Sequence, residues 1–331
     1  MLSRFVQAVA LLCLSAVFCE GIDPAAACDP CGMHNAVQVP GLLNSMRTTG
    51  LQAGAWTVGV QEQLSTFSIR GENDLRTTET DLELIRNLSV TQLSGAYNLS
   101  SEVALQVNVP FVVRNYDRFE RFRKVRETEA GLGDSSILAV YSPYSYTETE
   151  SRFFVAGVAG VKLPTGDTGS LSRVANEGGE PADVRIQGRG LTLGSGSVDL
   201  PVGFVSYARS GRLQFFGSAQ YTFRTEGAAD YRFANDLVWS TAPGWLFLIG
   251  EDQSIAFSIV FSGEHKGSDH LNGELLPRTA MSNLYVGPEL FYAVSNSFSF
   301  QLAVDLPVAL DVGGAAVKPE TRSRVGVSWS F

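Results

Sequence analysis

The sequence predicts an all-β protein, a single transmembrane antiparallel β-barrel of outer-membrane type with about twelve strands. Three observations carry that prediction. Large apolar residues recur at every second position through long segments, the connections between those segments alternate long and short, and the chain opens with a secretory signal.

In chain order, "MLSRFVQAVALLCLSAVFC" sets Arg4 before an apolar run from Phe5 to Phe18 that is too short to span a bilayer and is followed by small residues. Residues 1–19 therefore read as a signal peptide, with cleavage between 19 and 27. Residues 28–50 read as a periplasmic N-terminal segment or a plug, and residues 51–331 as the barrel. No apolar run after residue 20 approaches the length of a membrane helix, so crossing a membrane falls to strands.

The first strand shows Trp56, Val58 and Val60 at alternate positions, and the third shows Val103, Leu105, Val107, Val109, Phe111 and Val113. Ile255, Phe257, Ile259 and Phe261 mark a later one. From Phe298 to Leu310 every even position is apolar, while Ser299, Gln301 and Asp305 stand among the odd ones. Val325, Val327, Trp329 and Phe331 close the chain. Such strands have one face for hydrocarbon and one for a lumen. Their length, roughly 10 to 15 residues, exceeds the five or six usual in globular sheets.

The connections sort themselves as a barrel requires. "IRGENDLRTTETD", "YDRFERFRKVRETE", "PTGDTGSLSRVANEGGEPADVRIQGRG", "GEHKGSDHLNGELLPRT" and "DVGGAAVKPET" are long and charged, whereas "NLSS", "RSGR", "IGEDQ" and "VSNS" are short, with "SPYSYTETE" and "TEGAADY" between. Long outer loops alternating with short periplasmic turns are the mark of outer-membrane barrels. Tyr97, Tyr141, Tyr144, Tyr292, Trp329 and Phe331 all fall near periplasmic strand ends, where an aromatic girdle sits.

Parity then assigns the lumen. Asp199, Arg224, Asp236, Glu289 and Asp305 occupy polar faces of their strands, as do Arg114 and Lys162 near outer ends. These seven are the lumen-lining candidates, able to pair across the barrel or to filter solutes. About twelve strands enclose less space than a wide porin, so the expectation is a narrow or partly plugged channel. The formal net charge of −9, without a basic stripe, excludes nucleic acid as a partner.

Three stretches add a family. "AGLGDSSILAVYSPY" (130–144), "AGVKLPTGD" (159–167) and "LGSGSVDLPVGFVSYAR" (193–209) resemble, in order and spacing, the outer-membrane channel family named for the MetA pathway of phenol degradation. The resemblance covers about a quarter of the chain by motif and the rest by pattern. It implies a β-barrel in the bacterial outer membrane that passes small solutes, aromatic or apolar ones among them, and it carries over no catalytic residue and no cofactor. Its expected partners are outer-membrane lipid, the small-molecule solute, and the barrel-assembly machinery through the C-terminal strand ending in Phe331.

"CDPCGMH" (28–34) lies outside that pattern. In an oxidising compartment Cys28 and Cys31 can form a local disulfide. Alternatively, Cys28, Cys31 and His34 supply soft ligands for a metal, Cu(I) or Zn, which would turn the function toward metal handling. The disulfide is the favoured reading, because a single CxxCxxH lacks the second half of a structural zinc site. His265, Asp269 and His270 could in principle activate water, but such a cluster on an outer loop is more often solvated and the sequence places no Ser or second acidic constellation with it, so no enzyme is expected. A purely structural barrel is the third reading, consistent with long outer loops.

Overall fold

The computed structural model describes residues 40–48, 50–69, 82–120, 123–148, 150–175, 184–250, 253–312 and 317–331. The predicted signal peptide and the CDPCGMH segment, with its candidate disulfide and metal ligands, lie outside them. Helix α1 (Pro40–Thr48) comes first. It is followed by β1 (Trp56–Ile69), β2 (Leu82–Asn98), β3 (Val103–Glu120), β4 (Arg123–Leu132), β5 (Ser136–Thr147) and β6 (Ser151–Lys162). A separate ribbon pairs β7 (Ser172–Ala175) with β8 (Val184–Gln187). Then come β9 (Leu200–Ser210), β10 (Leu213–Phe223), β11 (Tyr231–Arg232), β12 (Asp236–Ile249), β13 (Ser254–Lys266), β14 (His270–Leu271) and β15 (Glu274–Leu275). β16 (Met281–Ala293), β17 (Phe298–Asp311) and β18 (Val317–Ser330) complete the order.

Neighbouring wall strands are antiparallel, and the ring closes where β1 pairs with β18, Thr57 opposite Ser330 and Ile69 opposite Val317. β4 and β5 act as one broken wall strand, since β4 pairs with the outer half of β3 and β5 with its inner half. The result is a closed 12-strand antiparallel barrel. β11, β14 and β15 make a small separate sheet.

The period-2 pattern places the side chains as parity predicts. Phe298, Leu302, Val304, Leu306 and Val308 of β17 point outward and are exposed, whereas Ser299, Ala303 and Asp305 are buried inside. On β3, Leu105, Val107 and Phe111 are outside and Ala104, Gln106 and Asn108 inside. In water this outward belt would form an apolar patch far larger than soluble monomers carry. In lipid the belt is solvated by hydrocarbon, and closure pairs the backbone groups that bilayer cannot satisfy. At one end Trp56 lies against Tyr97 with ring centroids 4.7 Å apart and Trp329 against Phe331 at 4.8 Å. Exposed Tyr141, Tyr144, Trp245 and Phe247 continue the girdle around the end that carries the short turns. That end is therefore periplasmic.

One expected loop is not a loop. "YDRFERFRKVRETE" is the upper part of a hairpin, because β3 runs on to Glu120 and β4 begins at Arg123. Its outward side is charged: Asp117 meets Arg86 closely, Lys124 at 3.0 Å and Arg126 at 3.5 Å. The hairpin thus rises above the apolar belt into water, and cross-strand ion pairing replaces lipid as the partner of its outer face. Burial pushes the Asp117 carboxyl upward, yet Arg86 and Lys124 prevail and hold it below the ordinary carboxylate value. "SPYSYTETE" is likewise mostly strand, since β5 extends through Thr147.

Candidate functional site: the lumen and its two closures

The lumen is filled in layers. At the outer end the chain between β6 and β9 turns inward, and the three family-like stretches meet there around one carboxylate. Asp134 sits in the break between β4 and β5, at a Gly133 that packs against Pro110 and the Leu193 carbonyl. Its Oδ1 accepts the Gly166 N–H at 3.0 Å, and its Oδ2 accepts the Ser195 N–H at 2.9 Å and the Ser195 hydroxyl at 2.8 Å. Lys162 Nζ lies 2.6 Å from the same Asp134 oxygen and 2.7 Å from Asp199. Asp199 continues to Arg224 Nη1 at 3.1 Å, and Arg224 Nε donates to Asp236 at 2.9 Å. All of these charges are buried, Lys162, Asp134 and Asp199 completely so.

Two glycines make that convergence possible. A Cβ on Gly194 would stand 2.4 Å from the Gly166 carbonyl oxygen, and one on Gly166 would stand 2.7 Å from the Gly194 Cα. Only glycine lets the two backbones touch. Beyond them, Leu191 and Leu193 bury themselves among Leu84, Leu88, Val112 and Tyr116 of β2 and β3. Arg114 fixes this inward segment by donating to the carbonyls of Gly190, at 3.1 Å, and Thr192.

At the periplasmic end α1 lies inside the barrel. Leu42 and Met46, four residues apart and so on one helix face, are buried against Ala96, Ala104, Leu138, Val140 and Phe154 of the inner wall. Arg47 Nη1 donates to Glu289 Oε1 at 3.2 Å, and its guanidinium lies over the Phe291 ring at 4.2 Å. Asn44 Nδ2 reaches Gln301 Oε1 at 3.4 Å, Gln301 Nε2 donates to Glu289 Oε2 at 2.7 Å, and Arg152 donates to the Thr48 carbonyl. The helix is therefore latched to β6, β16 and β17 without joining the strand pairing.

Between these closures is a cavity of about 120 Å³. Val158, Val205, Phe216, Val238, Ala242 and Val260 line it from one side of the barrel, β6 through β13, together with Ser218, Gln220, Ser240 and Ser262. The opposite wall supplies Gln61, Glu289, Gln301, Arg322 and Arg324. Arg322 is held by Asp305 at 3.0 Å, by Ser262 at 2.7 Å and by Glu264, and Arg324 by Asp305 at 3.0 Å.

Each of the seven parity-predicted residues is thus buried on the inward side. Lys162, Asp199, Arg224 and Asp236 share one network, while Arg114, Glu289 and Asp305 serve three separate contacts. Sequence reasoning missed Arg322 and Arg324, which the alternation of Val325, Val327 and Trp329 already places on the inward, even-numbered face. It also missed Asp134 and Arg47, which lie off the regular strands and give no parity signal. The His265, Asp269, His270 cluster is dispersed: His265 is exposed, and Asp269 is buried, accepting from Tyr231 Oη at 2.5 Å and the Ala234 N–H at 2.7 Å, and pairing with Lys266 at 2.9 Å.

A closed antiparallel barrel with an apolar belt, an aromatic girdle and a charged, segment-filled lumen is a bacterial outer-membrane β-barrel protein. Its architecture is similar to that of an outer-membrane channel from Pseudomonas putida F1, with a TM-score of 0.57 and 14% identity over 86% of this chain and 98% of that one. More distant are the translocator domain of the autotransporter NalP from Neisseria meningitidis, at TM-score 0.41, 9% identity and 87% and 92% coverage, and the toluene transporter TbuX from Ralstonia pickettii, at 0.35, 9% and 92% and 94%. No family model and no curated protein matches the sequence.

Proposed function

We propose that the protein is an outer-membrane channel for small apolar solutes, single-ring aromatics among them, and that the conformation described is its closed state. The chamber carries this reading. A lumen serving only to stiffen a barrel is best filled throughout, as in small barrels packed with their own side chains. This one keeps a half-apolar cavity between two closures, each made of a segment folded into the barrel rather than of the wall. The outer segment is anchored to the wall where Lys162 and Asp199 exchange backbone hydrogen bonds. In contrast, α1 takes no part in strand pairing and can leave without breaking a wall hydrogen bond, which is what a gate requires. The fold shared with the Pseudomonas putida channel and the motif resemblance support the same reading.

The test is electrical. Protein reconstituted in planar bilayers should show discrete openings, and phenol added to the bath should interrupt the current by occupying the chamber. A folded, heat-modifiable protein that stays silent at all voltages would favour the structural-barrel reading instead.

A further inference from the structure

The chamber's charged side is not fully spent on the protein itself. Arg47 is buried, with 4% of its side chain exposed, and lines the cavity. One of its nitrogens, Nη1, donates to Glu289, whereas Nε and Nη2 are buried with no hydrogen-bond acceptor among the described residues. A buried guanidinium nitrogen without an acceptor carries an uncompensated desolvation cost, so these donors are left open to a ligand acceptor, an anion above all. Arg324 Nε, also at the chamber, lacks an acceptor in the same way.

The lining as a whole agrees. Three guanidiniums, Arg47, Arg322 and Arg324, face the cavity with one carboxylate, Glu289. Both oxygens of Glu289 are already engaged, one by Arg47 and one by Gln301. Asp305 and Glu264 partner Arg322 and Arg324 but stand outside the cavity lining. Facing the charged wall are Phe216, Val238 and Val260, interspersed with the hydroxyls of Ser218, Ser240 and Ser262 and with Gln220. The volume, about 120 Å³, is of the order of the roughly 150 Å³ of a cavity known to accept benzene, so a single ring is the scale of group it suits.

We infer that the chamber is a binding site for a single-ring aromatic carboxylate, its carboxylate taken by Arg47 with Arg324 nearby and its ring laid on the Phe216, Val238 and Val260 wall. This rests on the channel reading above but specifies the solute's chemistry. It also couples solute to gate, because Arg47 belongs to the closing helix and an anion on its open donors draws on the same guanidinium that latches α1 to Glu289.

Calorimetric titration of the full-length, detergent-solubilised protein with benzoate, and with benzyl alcohol as the neutral counterpart, tests the inference. Benzoate should bind at least about tenfold more tightly. Arg47→Gln and Arg324→Gln should each weaken benzoate by about tenfold to a hundredfold, with little effect on benzyl alcohol, and Arg47→Lys should restore part of the loss. Heat-modifiable migration reports that each variant is folded, and Arg324→Gln keeps the test open if Arg47→Gln fails to fold. Equal affinity for the two ligands, or benzoate binding indifferent to both arginines, overturns the inference. The two readings fail separately: phenol-sensitive currents without benzoate binding sink this one alone, whereas benzoate binding by an electrically silent barrel upholds the site and sinks the channel.

Discussion

At the scale of single residues the molecule is governed by buried charge. Lys162 neutralises Asp134 and Asp199 together, so Lys162→Met leaves two buried carboxylates with fewer partners. Removing one member of such a cluster costs about 3–5 kcal/mol, and urea unfolding in lipid vesicles should show a loss of that size. Asp305 illustrates what parity can and cannot say. Alternation along β17 assigns it to the lumen but says nothing about what it meets there, and leaves open whether it pairs across the barrel or filters solutes. It is enclosed by Arg322 and Arg324, so Asp305→Asn should destabilise by about 1–3 kcal/mol in the same assay rather than merely alter selectivity. Asp117 gives a pH dependence. Its carboxyl is held below the ordinary value in the folded hairpin, so its stabilising effect is complete above the unfolded pKa of about 3.9 and is lost as pH falls through the lower folded value. Protease sensitivity of the outer hairpin should therefore rise under strong acid, and Asp117→Asn should show that sensitivity already at neutral pH.

At the scale of elements, strands were legible and inward-folded segments were not. A wall strand must satisfy lipid on one side and lumen on the other along its whole length, which writes a period of two into the sequence. β3, β13, β17 and β18 each carry that signature, and their faces follow from it. α1 carries only Leu42 and Met46 on one face, too short a pattern to announce a helix inside a barrel. The inward segment before β9 is built on Gly166, Gly194, Asp134 and Ser195, whose meeting depends on contacts between distant parts of the chain. The three family-like stretches pointed to these residues without saying that they touch. The two kinds of element also differ in what damages them. On β17, Val304→Arg puts a charge into the lipid-facing belt and should cost about 2–4 kcal/mol if it lies near the bilayer midplane, read as a lowered temperature for the heat-modifiable shift. Equal damage from Ala303→Ser on the inward face would argue against a lipid-facing belt.

At the scale of the whole molecule, the barrel is a rigid frame and the closures are guests inside it. The twelve-strand ring is joined by continuous antiparallel pairing from β1 to β18, whereas α1, among the described residues, is held by the Arg47–Glu289 ion pair, by hydrogen bonds involving side chains and by the buried Leu42 and Met46. That imbalance makes the central claim, a closed channel rather than a solid barrel, directly measurable. Single-channel recording should compare the intact protein with a variant lacking residues 28–48, each first shown to be folded by its heat-modifiable migration. The account predicts brief, small openings for the intact protein and a larger, longer-lived conductance once α1 is gone. A truncated barrel that is folded yet conducts no more than the intact one would contradict it.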